Sequence, residues 1–196
     1  MKKSTIIIIG VVLVIFFMIS GAIGRYNGLV TLEEGVDAAW SQVENVYQRR
    51  ADLIPNLVAT VKGYAEHEQE TFTLVTEARA KVNSVNMEGI TNNPEMLQQF
   101  QAAQGQLSSA LSRLMVVVER YPDLKANQNF LNLQTQLEGT ENRITVERNR
   151  FNKSAQVYNT QIRRFPGSVY AGIFGFDRKA YFEAEAGADQ APQVQF

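Results

Sequence analysis

The polar residues best suited to chemistry lie in one stretch, residues 49–68, which also holds the only histidine. Beside Glu66 and Glu68, His67 could act as a general base, because imidazole transfers protons near neutral pH. A zinc site of the HExxH type would need a second histidine four residues later, and that position is Thr71. We therefore expect a structural or docking role. The candidate set is Arg49, Arg50, Asp52, Asn56, Lys62, Tyr64 and Glu68.

Composition excludes several other classes of site. The chain of 196 residues has no cysteine, so disulfides, thiolate metal sites, cysteine nucleophiles and lipid anchors on cysteine are excluded. A net charge of −1, from 19 basic and 20 acidic residues, argues against nucleic-acid binding. Neither glycine-rich phosphate motif, GxxxxGK[ST] or GxGxxG, is present. We predict no enzyme activity, cofactor, metal ion or small-molecule substrate.

Two charged residues of the candidate set occupy positions that a helix would bury. Arg50 continues an apolar stripe at helical spacing, and Glu68 interrupts another. A buried ion pair fixes the register of packed helices more than it adds stability. We expect Arg50 to pair with Asp52 or Glu68. The alternative is that the stretch is a docking site for another membrane protein.

Four apolar stripes with spacings of three and four residues predict an all-α fold, an elongated antiparallel bundle with coiled-coil-like packing. The third stripe is the most regular. Its members are Met96, Phe100, Ala103, Leu107, Ala110, Leu114, Val117 and Tyr121. The predicted helices cover residues 25–50, 53–83, 94–120 and 124–165. Pro55 suits the first turn of a helix capped by Asp52, or alternatively one helix runs through it and kinks.

An apolar run at residues 6–23 predicts a transmembrane helix. Eighteen uncharged residues reach about 27 Å as a helix, close to the hydrocarbon thickness of a bilayer. We assign residues 1–24 to a cytoplasmic stub and this helix, and a cleaved signal peptide is the alternative. More positive charge precedes the run than follows it, which favours a cytoplasmic N-terminus and an external domain. The predicted transmembrane residues include Ile6, Val11, Val14, Phe17 and Ile23.

Residues 96–112 contain no charged side chain, although a solvent-facing helix normally carries lysine and glutamate. An uncharged polar face avoids repulsion when copies of a chain pack together, and so predicts self-association. Its candidate residues are Gln98, Gln101, Gln104, Ser108 and Ser112.

The segment 166–196 is predicted to be irregular, since glycine and proline alternate with aromatic residues. So many aromatic rings are unusual in a solvated tail. We expect them to pack on the chain's own bundle, and the alternatives are a neighbouring subunit, a partner or a lipid surface. The rings that also count as candidate self-association residues are Phe165, Tyr170, Phe174, Phe176 and Phe182.

Residues 26–79 resemble the LemA family of bacterial membrane proteins. The most specific parts are RRADLIPNL at residues 49–57 and KGY at 62–64, supported by RRFPGSVYAGIFGF at 163–176 and YFEA at 181–184. The resemblance implies one N-terminal membrane helix, an all-helical domain and no established biochemical activity. It also implies a short N-terminus outside the cell, opposite to the orientation that the flanking charges favour.

These features predict a single-pass protein of the bacterial inner membrane that acts as a helical scaffold and forms homo-oligomers. The alternative is a monomeric adaptor or regulator. In that case the bundle would present residues 49–68 to another membrane protein, such as a protease or sensor.

Overall fold

The computed structural model describes residues 3–183, and all regular secondary structure among them is helical. The main helices are α1 (Lys3–Lys62), α2 (Gln69–Asn83), α3 (Pro94–Val118), α4 (Pro122–Lys125), α5 (Gln128–Arg163) and α6 (Gly167–Phe174), with a short 3-10 helix at Ile90–Asn92. Residues 1–2 of the predicted stub, residues 184–196 of the predicted tail and the side chain of Ile6 lie outside this description. The all-helical bundle expected from the sequence is confirmed.

Helix α1 continues through Pro55, so the predicted boundary between residues 50 and 53 is wrong and the alternative of one helix through the proline is confirmed. Proline has no N–H group, and the carbonyl of Ala51 therefore lacks its usual donor four residues later. Arg79 of α2 supplies the replacement, because its Nε donates to that carbonyl at 2.9 Å. The bond comes from a neighbouring helix, which explains how a proline is accommodated next to the buried Ala51.

The predicted helix at 53–83 is interrupted at residues 63–68. Gly63 follows the last residue of α1, where its poor helix propensity favours an end. The turn sends α2 back along the bundle, and this buries Phe72 and Val75 together with Val61. A straight continuation would have carried those apolar side chains away from the core.

Helices α3 and α5 both begin at asparagine caps. The Oδ1 of Asn93 accepts hydrogen bonds from the backbone N–H groups of Glu95 and Met96 at 3.0 and 3.2 Å. Asn127 does the same for the first turn of α5. The predicted start at residue 124 is therefore too early, because Leu124 belongs to α4 and is buried.

Two apolar cores follow one another along α1. The distal core, far from the apolar N-terminal run, lies among four helices, α1, α2, α3 and α5, and α4 closes its end. The proximal core has α1 and α5 beside the first turns of α3 and the 3-10 helix. The hairpin of α2 and α3 does not extend to the apolar N-terminal run. The proximal core is therefore completed by α6 and by residues 175–183, which we call the strap.

The predicted irregular tail is therefore partly helical. Residues 167–174 form α6, and only the strap lacks regular secondary structure among residues 167–183. Gly175 allows the change of direction, because its φ of 75° is a conformation that other residues rarely adopt. The strap then runs beside α1, away from the apolar N-terminal run.

Candidate functional site

The N-terminal part of α1 is long and apolar enough to cross a membrane. Every side chain from residue 7 to residue 21 is exposed within the described chain. Those of Val11, Val14, Phe17 and Ile23 are all more than half exposed. Exposed apolar side chains over this length are stable in a lipid hydrocarbon core and unfavourable in water.

Arg50 lies in a polar layer between the two cores. Its Nη1 donates to Glu141 Oε2 at 2.7 Å and to Ser108 Oγ at 3.1 Å. Its Nη2 donates to Gln104 Oε1. The expected ion pair with Asp52 or Glu68 is wrong, because Asp52 contacts Gln48 and Glu68 contacts Arg120.

Burial within this layer is uneven. The side chain of Arg50 is 3 % exposed, whereas that of Glu141 is 58 % exposed. The carboxylate therefore stays hydrated while the guanidinium is covered, and Tyr47 places its ring 5.2 Å from the guanidinium carbon. Among residues 3–183, Arg50 Nε and Gln104 Nε2 have no hydrogen-bond partner. Such a layer sets the register of the helices more than it stabilises them.

The candidate set at residues 49–68 is not brought together. Arg49, Asp52 and Asn56 lie exposed along α1, and Asp52 accepts a hydrogen bond from Gln48 at 2.8 Å. Lys62 and His67 are exposed near the distal end. No general-base arrangement around the histidine follows from this placement.

A smaller network forms at the distal end of the bundle. Glu68 Oε1 lies 3.0 Å from Arg120 Nη2 and accepts from the hydroxyl of Tyr121 at 3.3 Å. Asn127 donates to the hydroxyl of Tyr64 at 2.8 Å. These bonds connect the α1–α2 turn to the chain around α4, so they close the end of the distal core.

The candidate self-association residues of α3 point in different directions. Gln104 is buried in the polar layer, Ser108 is half-buried there, and Gln101 donates to the carbonyl of Glu183 at 3.1 Å. Only Gln98 and Ser112 are exposed. The surface prediction was wrong for Gln104, because it lies on the same side of α3 as the core residues Phe100 and Leu107.

A different exposed row of α3 has uncharged small and amide residues at spacings of four and three. We call it the small-residue seam, and it consists of Gln98, Ala102, Gly105, Ser109 and Ser112. Beside it, a groove of about 590 Å³ runs between α2 and α3, with Leu74 and Ala78 on the α2 side. The spacing is that of the contact positions in a coiled coil.

The strap is held through its backbone by asparagine side chains of α5. Asn159 accepts from the N–H of Lys179 at 2.9 Å and donates to its carbonyl at 2.8 Å. Asn152 makes the same two bonds with Phe182, each at 2.9 Å. The N–H of Ala180 donates to the carbonyl of Thr91 at 2.7 Å. An extended segment without strand partners thereby satisfies its buried backbone groups.

Lys179 and Phe182 anchor the strap on α1. The ammonium group of Lys179, 3 % exposed, lies 2.9 Å from Glu33 Oε1 and 3.8 Å from Asp37 Oδ1. The ring of Phe182 stacks on Trp40 with centroids 5.9 Å apart. Sequence reasoning did not find Lys179, because no pattern marks a single lysine in an irregular segment. The available signal was the seven-residue spacing of Asn152 and Asn159 on the core side of α5.

Tyr158 is fully buried beneath the strap. Burial raises the pKa of Tyr158 well above its ordinary value, and the charges of Glu33, Asp177 and Asp37 act in the same direction. Its hydroxyl has no partner among the described residues. The group therefore stays neutral in the folded protein and serves packing rather than proton transfer.

The tail aromatics divide into buried and exposed groups. Phe182 is buried on the chain's own bundle, and Tyr170 and Phe176 are half-buried against the proximal core. Phe174 is exposed, and Phe165 is 86 % exposed, so the expectation of burial on the bundle is wrong for these two. Within residues 3–183, no group of acidic residues and His67 could hold a metal ion.

Comparisons with known proteins agree with this architecture. The sequence model of the LemA family matches residues 39–196. Magnetosome protein MamQ 2 of Paramagnetospirillum magneticum is 29% identical over 201 residues, covering 94% of this chain and 74% of the relative. Magnetosome protein MamQ of Magnetospirillum gryphiswaldense is 30% identical over 190 residues, covering 87% and 70%. Protein LemA of Metamycoplasma hominis is 25% identical over 162 residues, covering 83% and 70%.

Proposed function

Because the chain belongs to the LemA family, we propose that it is a membrane-anchored helical scaffold of the bacterial envelope that assembles with further copies of itself. The exposed apolar part of α1 supports the anchor. The names of the relatives assign no enzymatic activity to them, which supports a role without catalysis. Together these observations support a membrane-associated helical protein. Self-assembly is the part of the proposal that goes beyond them.

We also propose a cytoplasmic N-terminus in the inner membrane, with the helical domain outside. The positive-inside rule supports this orientation. Because the chain lacks cysteine, Val146→Cys gives one reactive thiol at an exposed site of the domain. A membrane-impermeant maleimide should label this variant in spheroplasts with intact inner membranes. Labelling only after those membranes are opened would establish the opposite orientation.

The small-residue seam carries the proposal of self-assembly. Over residues 98–112, the exposed side of α3 has no charge that would have to be desolvated in a contact. Small side chains allow a second helix to approach closely, and the adjoining groove of about 590 Å³ offers space for larger side chains. Charged residues flank the groove, namely Glu77, Lys81 and Arg113, as in interfaces with an uncharged centre and a polar rim.

A matched pair of glycine substitutions tests the seam. Gly105 lies in it, whereas Gly139 is an exposed position of α5 away from it, and a Cβ at either site meets open space. Both changes to leucine should stabilise the single chain by about 0.5–1 kcal/mol, because glycine is a poor helix former. In a contact, however, the leucine at position 105 would hold the second helix away.

The measurement is co-purification of two differently tagged full-length copies from membranes. The wild-type copies and the Gly139→Leu copies should co-purify, and the Gly105→Leu copies should not. Retained co-purification in both variants would show that the seam is not the interface. Absence of co-purification in the wild type would contradict self-assembly.

That last outcome would favour the adaptor alternative, in which a single chain presents the exposed outer side of α1. Arg49, Asp52 and Asn56 lie there at helical spacing and form no ion pair among the described residues. Arg49→Ala should then abolish a crosslink to another membrane protein without changing thermal stability. Arg50 would be a poor choice for this test, because it is part of the polar layer.

A further inference from the structure

Helix α6 and the residues just before it leave several large apolar side chains exposed in the described chain. Val169 and Ile173 are four residues apart on one side of the helix, and Ile173 is 68 % exposed. Phe165 lies two residues before the helix, and Phe174 is its last residue. We call these four residues the α6 face. So many exposed apolar side chains on so short a segment mark a contact site rather than a solvated surface.

The position of α6 along α1 relates this face to the membrane. The ring of Phe174 lies 4.9 Å from that of Tyr26, and the ring of Phe176 lies 5.7 Å from it. Tyr26 comes three residues after Ile23, the last residue of the apolar run, which is about 4.5 Å along the helix axis. Ala22, within the run, is the first described side chain of α1 that is half-buried. The base of the domain therefore begins where the apolar run ends.

The flanking residues also suit a membrane interface. Arg25 follows the apolar run, and Arg163 and Arg164 precede the α6 face; all three are exposed. Arginine side chains at this depth reach anionic lipid head groups while their methylene groups stay in an apolar environment. Tyr26 is of the residue type enriched at the boundary between lipid and water.

We propose that the α6 face is a second membrane contact, which lies in the interfacial layer of the same leaflet from which α1 emerges. The occupant of this face is the lipid surface, and the inference rests on the proposed membrane anchoring of α1. A domain held by one helix alone can tilt and rotate. A second contact formed by α6 fixes the orientation of the bundle relative to the membrane, and with it the direction in which the small-residue seam points.

Site-directed spin labelling tests the proposal in the full-length protein, since the absence of cysteine makes single-cysteine variants specific. The test positions are Phe165→Cys and Ile173→Cys. Phe17→Cys, within the apolar run, is the control for lipid, and Val146→Cys, on α5, is the control for water. All four side chains are exposed, so the labels should not disturb packing. The protein is reconstituted in vesicles of phosphatidylethanolamine and phosphatidylglycerol.

The readout compares collisions of each label with oxygen, which concentrates in lipid, and with a water-soluble nickel complex. Labels at 17, 165 and 173 should favour oxygen, and the label at 146 should favour nickel. Nickel-accessible labels at 165 and 173 beside a lipid-exposed label at 17 would overturn this inference alone. A nickel-accessible label at 17 would overturn the membrane anchoring as well. Spin–spin broadening at 165 and 173 would show that a second copy covers the face, and would also overturn it.

Discussion

The two cores of this protein differ in side chains and in the elements that enclose them. The distal core is mostly aliphatic and is enclosed by helices, with Leu107 and Leu114 fully buried at its centre. The proximal core is rich in aromatic rings, among them Trp40, Phe151 and Phe182. These three rings contact one another in pairs, with centroids 5.4 to 5.9 Å apart. The proximal core has only two long helices along its length, α1 and α5, because the α2–α3 hairpin reaches only part of the way to the apolar N-terminal run.

The comparison shows two ways to enclose one long helix pair, α1 and α5. Where four helices are available, backbone hydrogen bonds are internal and aliphatic side chains fill the narrow space. Where helices are missing, rings fill a wider space, and side-chain amides must serve the backbone of the strap. The polar layer around Arg50 lies at the change from one arrangement to the other.

The largest losses of stability are expected when one large buried side chain is removed from either core. Phe182→Ala and Leu114→Ala should cost about 3–5 and 2–5 kcal/mol of unfolding free energy, as for other buried side chains of these types. Trp40 is the only tryptophan, so its emission reports on the proximal core. Phe182→Ala should shift native-state emission to longer wavelengths because the strap opens. Leu114→Ala should leave it unchanged, and an unchanged spectrum in both variants would contradict the role of the strap.

In the polar layer, one substitution should lower the free energy of unfolding, and a second one should restore most of it. Arg50→Met leaves the Gln104 carbonyl buried without its donor and should cost about 1–3 kcal/mol in urea unfolding. Glu141 stays hydrated and adds little to this cost. The double variant Arg50→Met/Gln104→Leu should recover most of the loss, as when apolar residues replace a buried polar group. A double variant less stable than the single one would show that the layer is needed for stability itself.

In the distal half, Pro55 and Arg79 should be energetically coupled. Arg79→Met removes the donor to the carbonyl of Ala51 and should cost about 1–3 kcal/mol. In a Pro55→Ala background, the new N–H group at position 55 can donate to that carbonyl, so the same change should cost about 1 kcal/mol less. A double-mutant cycle measures this difference. Equal costs in the two backgrounds would mean that the arginine acts through other contacts.

The smallest effect is expected at Tyr158 in the proximal core. Tyr158→Phe removes a buried hydroxyl that has no partner among the described residues, so it should stabilise by up to about 1 kcal/mol at neutral pH.

The same variant should alter the alkaline response. The pKa of Tyr158 is raised in the folded state, so above the ordinary pKa of 10.0 the hydroxyl ionises in the unfolded chain before it does in the folded protein. The free energy of unfolding is therefore unaffected by this group below that pH and falls as pH rises above it. Tyr158→Phe should lose less stability above pH 10 than the wild type. Chemical unfolding at neutral pH and above pH 10 measures this difference. An equal loss of unfolding free energy in the variant and the wild type would contradict this origin.

The distal half was more accessible to sequence reasoning than the proximal half. Apolar spacing identified the buried side of α3 and the core position of Arg50, because local periodicity follows from helix geometry. It did not identify Glu141 as the partner of Arg50, since that contact spans 91 residues. The strap was less accessible still, because Lys179 lies in an irregular segment without a period, and the spacing of Asn152 and Asn159 alone does not show which segment they bind. The uncharged segment of α3 was recognised, but Gln104 and Ser108 were expected on its surface although both bind Arg50 in the polar layer.

The most direct test of self-assembly is the native mass of the full-length protein in mild detergent, by light scattering with the detergent contribution subtracted. One chain has a mass of 22.0 kDa. We predict a discrete multiple of this mass, which falls to a single chain in Gly105→Leu and persists in Gly139→Leu. A wild-type mass of one chain across the concentrations measured would contradict the scaffold and favour the monomeric adaptor.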